Sequence, residues 1–364
     1  MFDRVIGQER ARAQVLAWLN SGRLPHAILI TGPEGAGKRL LAIELARAVL
    51  CGGSGPAGGC GDCPTCHQID HLVHPNLQVL LPTPTGAGRT GTDAEQFAAL
   101  RETALEYLRG GRAARTGGNI PKEHVLLLQR EMAFAPAPGS SRRVAVIFEA
   151  DRMQTAGANS VLKTLEEPPG HALFLLVSET AERLLPTVVS RCQRLPLRPR
   201  TAAQVRNELQ GAGASEERAS LAGRLAASGP VRPAAVADES FDALRDLVER
   251  FIDSGLGGRE RDYWTLLEDF GGRPDKERME AFLELCSTYL RDVLLLQGDR
   301  GGSVAHVDRG ERLHAWSRRI PGAGLDRLAR TLDSAYEALG RNVNPQLLLA
   351  DLWYQFRRCG ASSA

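Results

Sequence analysis

Lysine is nearly absent from this chain. Of its 45 basic residues only Lys38, Lys122, Lys163 and Lys276 are lysines, and the rest are arginines. With 38 glycines and abundant alanine, that bias reflects a GC-rich coding sequence, so a single arginine carries weight only where a motif places it. Long apolar runs are missing as well: none approaches the roughly 18 residues of a membrane span. The N-terminal MFDRVIGQER lacks the apolar stretch of a signal peptide. Membrane residence and secretion are therefore excluded as expectations, and a cytoplasmic protein is expected. Aromatic residues are scarce at 5% and the net charge is only +2, too little for a base-stacking surface or a strong electrostatic footprint for nucleic acid. Cysteines are few and odd in number, seven, which argues against a disulfide framework in a chain without an export signal.

What remains is an ordinary globular composition, 43% hydrophobic and 24% charged, over 364 residues. That length exceeds what one hydrophobic core usually serves, and two or three domains are expected.

Four of the cysteines, Cys51, Cys60, Cys63 and Cys66, form the pattern C-x8-C-x2-C-x2-C. Each Cys-x2-Cys step can set two thiolates on one ion, and four thiolates close the tetrahedron of a structural Zn²⁺ site. The intervening GGSGPAGG has no side chain that could build a core and must fold back as a loop. A redox Cys-x2-Cys is the competing reading, against which stand two overlapping pairs and a fourth cysteine. His67, His71 and His74 follow closely and could replace a ligand. Such a site leaves no open position for catalysis.

Along the chain, apolar spacing predicts a helix over 8–21, then a short apolar run, HAILITG, leading into GPEGAGKR and a second helix through Leu41, Leu45 and Val49. Strands are predicted at 77–82, 144–149 and 172–178, the last two continuous apolar runs suited to burial on both faces. ANSVLKTLEEPP reads as a helix stopped by Pro168 and Pro169. Residues 83–120 read as a helix near 93–109 with flexible flanks. This alternation implies a parallel α/β sheet to about residue 197. Beyond it no strand is expected: a capping box of Thr201 with Gln204 opens short helices at 202–210 and 216–227, and amphipathic helices run from Ser240 to the end.

Gly32-x4-Gly37-Lys38 meets the template of a phosphate-binding loop up to its last position. Gly35 and Gly37 allow the backbone to turn its N–H groups toward an anion, and Lys38 can reach a terminal phosphate. The template then asks for a Ser or Thr hydroxyl on Mg²⁺, and Arg39 stands there. An Asp should end the strand VAVI, and Phe148 followed by Glu149 stands there. Two magnesium ligands are missing, so hydrolysis by this chain alone is not expected, and ATP binding is left open.

These motifs together resemble a family. FDRVIGQERA, RLPHAILITGPEGAGK, the four-cysteine insertion, and NSVLKTLEEPP followed by LPTVVSRCQ are similar to the AAA+ clamp-loader subunits of bacterial DNA polymerase III, which open the sliding clamp and place it on primed DNA. The resemblance covers about residues 1–200; the last third matches in being helical, with RNVNPQLLLADLWYQF similar to the family's final helix. It implies an AAA+ α/β P-loop domain at 1–197, a parallel sheet with helices on both faces and a zinc module at 51–66. A small helical lid at 198–238 and an all-α collar at 239–364 would follow. Two kinds of member carry the zinc insertion, the ATP-hydrolysing gamma/tau motor and the delta prime subunit. Arg39, Phe148 and the phrases HPNLQVLLP and EADRM align this chain with delta prime members, and the motor is the alternative. The implied partners are gamma/tau and delta, with the sliding clamp and primed DNA reached through the assembled complex. Residue by residue, Val5, Ile6, Gly7 and Gln8 correspond to the segment beside the adenine, Ser178 to sensor 1, and Arg191 to an arginine finger acting on a neighbour's ATP. Arg232 lies near the sensor-2 position, with Pro233 departing from the pattern.

Overall fold

The computed structural model describes residues 2, 5–53, 59–83, 92–108, 118–228, 236, 240–270, 276–298, 301–340 and 343–361. The chain divides into two compact units, Met1–Pro199 and Arg200–Ala364.

The first unit is built on five parallel strands: β1 (Ala27–Thr31), β2 (Leu77–Leu80), β3 (Arg143–Ile147), β4 (Ala172–Ser178) and β5 (Gln193–Pro196), in the order β2-β3-β4-β1-β5. Every residue of β3 and β4 is buried, as suits central parallel strands whose apolar runs, 144–147 and 172–177, are interrupted only at the ends by Arg143 and Ser178. β5 buries only Leu195 and ends on Pro196, an arrangement tolerated at an edge, where a missing N–H breaks no ladder. Register sets Ile30 beside Val177 and Leu195, and Ile147 beside Leu80 and Leu176. The C-terminal ends of β1, β3 and β4 thus reach one end of the sheet, each followed by a stretch singled out in the sequence.

Around the sheet run α1 (Glu9–Ser21), α2 (Lys38–Leu50), α3 (Pro64–Asp70), α4 (Asp93–Leu108), α5 (Lys122–Ala133), α6 (Thr155–Glu166) and the short α7 (Pro186–Val189). α2 begins on the phosphate loop and is apolar nearly all round, so Leu41, Leu45 and Ala46 are fully buried. α4 matches the expected helix; of the flanks of 83–120 expected to be flexible, 84–91 and 109–117 lie outside the described residues, while Thr83 bridges Asn119 and Ile120 bridges Met153. α5 was not legible as a helix in the sequence, although His124, Val125, Leu128 and Met132 bury one of its sides.

Among the described residues the second unit has no strand. α8 (Ala202–Gly211) opens on the expected capping box: Thr201 accepts from the Gln204 N–H at 3.2 Å, and Gln204 Oε1 accepts from the Thr201 N–H at 2.8 Å. α9 (Glu216–Ser228) follows, and then helices Ser240–Gly257, Glu260–Asp269, Lys276–Gln297, Gly310–Arg319, Gly322–Gly340 and Pro345–Ala361. Their core holds Phe251 edge-on to Phe282 at 5.0 Å, with Trp316 and Phe356 fully buried. Helices Ser240–Gly257 and Pro345–Ala361 cross so closely that a methyl group at Gly360 would sit 2.3 Å from the Leu256 carbonyl oxygen. No described helix is long and apolar enough to cross a membrane.

Candidate functional site

The four cysteines converge. Their sulfurs all lie within 4.8 Å of one another, with Cys51 3.8 Å from Cys60 and 3.7 Å from Cys63, and Cys60 4.0 Å from Cys66. A tetrahedron built on metal–sulfur bonds of about 2.3 Å has edges of about 3.8 Å. The cluster can therefore hold a four-coordinate metal ion. Backbone N–H groups of Gly53 and Cys60 donate to Cys51 Sγ, and that of Gly61 to Cys66 Sγ, bonds that favour thiolates and orient them. Burial pushes the Cys66 thiol up to about 12, while exposed Cys60, receiving the Asp62 N–H, is pulled down to about 6. The three histidines stay outside the group. His74 is buried, its Nδ1 accepts from the Asn76 N–H at 3.2 Å, and burial lowers its pKa.

What ties this module to α2 is Arg47, a residue set aside in the sequence among so many arginines. It is 3% exposed on α2, and its guanidinium reaches both carboxylate oxygens of Asp70 and the Cys66 carbonyl oxygen.

The phosphate loop takes the turn its glycines permit. Gly35 and Gly37 have φ of 77° and 91°, in the left-handed region, and Gly37 leads into α2. Val5 packs beside Gly37, with Ile6 and Gly7 half-buried next to it. Gln8 ties the segment down: its Nε2 donates to the carbonyl oxygens of Ala36 at 3.1 Å and Arg198 at 2.7 Å, and its Oε1 accepts from the Arg198 N–H. Lys38 does not point outward. Its Nζ donates to the carbonyl oxygens of Gly32 at 2.6 Å and Pro33 at 2.8 Å, and burial lowers its pKa against the attraction of Glu179 and Glu34.

Where a metal's ligands would stand, Arg39 lays its guanidinium over the Tyr107 ring, 3.5 Å from the centroid. Phe148 is fully buried, 5.3 Å from the same ring. The Tyr107 hydroxyl donates to the Glu149 carboxylate, which burial pushes above its ordinary pKa. Nothing in the sequence pointed to Tyr107, because α4 is distant in the chain from both motifs it joins.

Ser178, at the end of β4, is 2% exposed, its hydroxyl 2.8 Å from Asp151 Oδ1 and from the Thr180 carbonyl oxygen. Arg191 follows α7. Its Nη1 donates to the Thr187 carbonyl oxygen at 2.9 Å, and its Nη2 pairs with Glu166 at the end of α6, leaving the side chain one-third exposed. The structure thus links the helix of NSVLKTLEEPP to the turn of LPTVVSRC. Arg232 and Pro233 lie outside the described residues.

Comparison with known proteins places this arrangement. Residues 7–201 match the family model described as DNA polymerase III, delta subunit, and residues 272–358 match the model of the delta subunit's C-terminal part. The first match spans more than half of the chain, and the chain belongs to this DNA polymerase III delta-subunit family. The delta' subunit of DNA polymerase III from Bacillus subtilis is 25% identical over 338 residues, covering 92% of this chain and 91% of the relative. The delta' subunit of Pseudomonas aeruginosa is 34% identical over 184 residues, covering 50% and 45%. The gamma/tau subunit of Mycobacterium tuberculosis is 26% identical over 396 residues, covering 96% of this chain but 59% of the relative, so the chain spans about six tenths of that relative's length. A solved DNA polymerase III gamma subunit-related protein from Thermotoga maritima, 15% identical, superposes with a TM-score of 0.50 over 95% of this chain and 99% of that one. At that identity the likeness speaks for the fold alone, a parallel α/β domain with a phosphate-type loop followed by helices.

Proposed function

We propose that this chain is a non-hydrolysing, delta prime type subunit of a bacterial DNA polymerase III clamp loader. In this reading it works in the cytoplasm beside gamma/tau and delta subunits, helps place the sliding clamp on primed DNA, and presents Arg191 to ATP held by a neighbour. The lid (198–238) and collar (239–364) expected from the sequence would carry assembly of the ring, and the cysteine cluster would hold a structural Zn²⁺. The observation that carries the reading is the metal corner of the phosphate loop: Arg39 and Phe148 replace two oxygen ligands, and both pack on Tyr107. Phosphoryl transfer depends on a metal to neutralise charge on the transferred group, and no oxygen pair stands at positions 39 and 148 to hold one.

An arginine can act where its own subunit cannot. Guanidinium is permanently charged and offers a planar fork of donors, suited to charge developing on a γ-phosphate. Arg191 is anchored by Thr187 and Glu166 yet exposed enough to be reached. A group of this kind supplied by a neighbouring subunit is worth about 10³–10⁵ in rate in other NTPases. In a ring with several ATP sites, removing one leaves the others running. We expect Arg191→Ala to leave ring assembly intact and to lower the DNA- and clamp-stimulated ATPase and the loading rate of the reconstituted complex. Arg191→Lys should restore little, since a point charge lacks the fork. Wild-type rates from the Arg191→Ala complex would leave this subunit a scaffold.

The alternative, an ATP-hydrolysing gamma/tau motor, is favoured by the 26% identity to mycobacterial gamma/tau over nearly the whole chain. The isolated protein decides between the two: turnover of ATP at about 1 s⁻¹ or faster, a rate of working enzymes, would replace our reading with the motor.

A further inference from the structure

Loss of two magnesium ligands explains why a phosphate loop would not hydrolyse, but does not by itself prevent it from binding a nucleotide. Gly32, Gly35, Gly37 and Lys38 are all in place, and such a loop can hold an anion on backbone N–H groups without help from positions 39 and 148. The structure places something else at this corner. We propose that α4 is a built-in stopper of the nucleotide site, and that Tyr107, outside every loop motif, is the residue that keeps a magnesium–nucleoside triphosphate out.

Three independent features meet at Tyr107. The first is space: its ring is 3% exposed and lies against Arg39 on one side and Phe148 on another, between the two positions from which a metal would draw ligands. Magnesium demands about six oxygens at about 2.1 Å in near-octahedral array, and an aromatic ring offers none. The second is charge. Arg39 is a fixed cation at that corner, held by the face of the ring and, at 3.4 Å, by the Tyr107 carbonyl oxygen. Of the two carboxylates just past the end of β3, Glu149 is engaged by the Tyr107 hydroxyl and by Arg152 at 3.2 Å, and Asp151 by the Ser178 hydroxyl at 2.8 Å. The third is backbone conformation. Glu149 sits at φ +48°, a left-handed state that a residue with a side chain adopts only where its surroundings hold it, and these are the contacts that hold it.

α4 is not loosely applied. Leu100 and Ala104, on the same side as Tyr107, are buried in the core of the first unit. The helix therefore reaches the loop as part of the fold, and withdrawing Tyr107 means exposing that row.

The inference goes beyond the clamp-loader reading and does not need it, because it concerns binding by this chain alone, whereas the Arg191 experiment concerns turnover by an assembled complex. The test is titration of the purified full chain with a fluorescent ATP analogue and with ATP by calorimetry, each with magnesium. Wild-type protein should bind no tighter than about 1 mM. Arg39→Thr alone should gain nothing, since Tyr107 keeps its contacts with Phe148 and Glu149. Arg39→Thr with Tyr107→Ala should bind at least about tenfold tighter than Arg39→Thr alone, in a magnesium-dependent way, because the hydroxyl brought to position 39 then faces open space instead of an aromatic ring. Wild-type binding at about 10 μM, or a folded double variant that gains nothing, would overturn the proposal. Amide hydrogen exchange on wild-type protein covers the case in which the double variant fails to fold. Protection across residues 100–107 should be the same with and without millimolar Mg·ATP, and its loss on adding nucleotide would equally overturn the stopper.

Discussion

A thiolate is a ligand by chemistry and a site only by position, and position is what Cys51, Cys60, Cys63 and Cys66 acquire on folding. Their sulfur spacings of 3.7 to 4.0 Å are those of a tetrahedron suited to a soft, four-coordinate ion, and amide donors face each of the four sulfurs. We expect protein purified without added metal to carry about one equivalent of zinc, as a closed four-thiolate site does. Cys63→Ser with Cys66→Ser should remove it, because a hydroxyl is not ionised at neutral pH and two sulfurs do not make a closed site. Zinc retained in full by that double variant, measured by atomic emission, would rule the assignment out. Arg47 shows the converse situation. One arginine among many in the sequence, it becomes through burial and Asp70 the link between this cluster and α2. Asp70 is itself exposed, so the cost of breaking the pair lies in leaving the buried guanidinium without that carboxylate, and Asp70→Asn should destabilise the protein more than removal of a carboxylate facing an exposed arginine.

At the scale of an element, the stretch 304–309 of the second unit is held by buried polar groups rather than by regular hydrogen bonding. Asp292, fully buried on helix Lys276–Gln297, accepts the N–H groups of Ala305 and His306 at 2.9 to 3.1 Å. The His306 ring stacks on Tyr289, with centroids 3.8 Å apart, its Nε2 3.0 Å from Thr288 Oγ1 and its Nδ1 3.2 Å from Arg245 Nη2. Since arginine only donates, Nδ1 must be the acceptor and the proton sits on Nε2. A second proton would have to enter at Nδ1, against Arg245. Burial first, then the charges of Arg245, Arg224 and Arg309, accordingly hold the His306 pKa well below its ordinary value. The sign follows. Above about pH 6.5 neither state is protonated and nothing is lost; below it the unfolded chain takes up a proton that the folded chain refuses, and stability falls. The slope for one such group approaches about 1.4 kcal/mol per pH unit. Asp292, pushed up by its own burial, works in the opposite sense. His306→Gln should therefore be less stable than wild type at pH 8 while losing less on acidification from pH 7 to 5, read by urea unfolding. Parallel pH profiles for the two proteins would show that His306 does not titrate on unfolding.

At the scale of the whole molecule, the described residues form two continuous hydrophobic cores, one around the sheet and one among the helices from Val205 to Cys359. Each core belongs to one compact unit, and a unit with its own core can unfold on its own. Calorimetry should resolve two transitions. Stripping the cysteine cluster with a chelator should lower one of them, and His306→Gln should lower the other. A single transition displaced by both treatments would mean that the units unfold as one.

How much of this was legible beforehand follows from the range of the interactions concerned. Strands β1, β3 and β4, the phosphate loop, the capping box at Thr201 and the cysteine spacing are set by neighbours a few residues apart, so periodicity, glycine placement and ligand intervals sufficed to read them. The motifs also carried the family, and with it the expectation that hydrolysis is lost at Arg39 and Phe148. What occupies that corner instead was decided only by the tertiary structure. Tyr107 lies 68 residues from Arg39 along the chain. A cation over an aromatic face, or a tyrosine hydroxyl on Glu149, leaves no periodic trace in either segment. The same holds for Gln8 with Arg198, for Arg47 with Asp70 and for His306 with Arg245. Local pattern determined which elements form, because it acts through the backbone nearby. Burial of polar groups, which must find partners wherever the fold brings them, determined what those elements enclose.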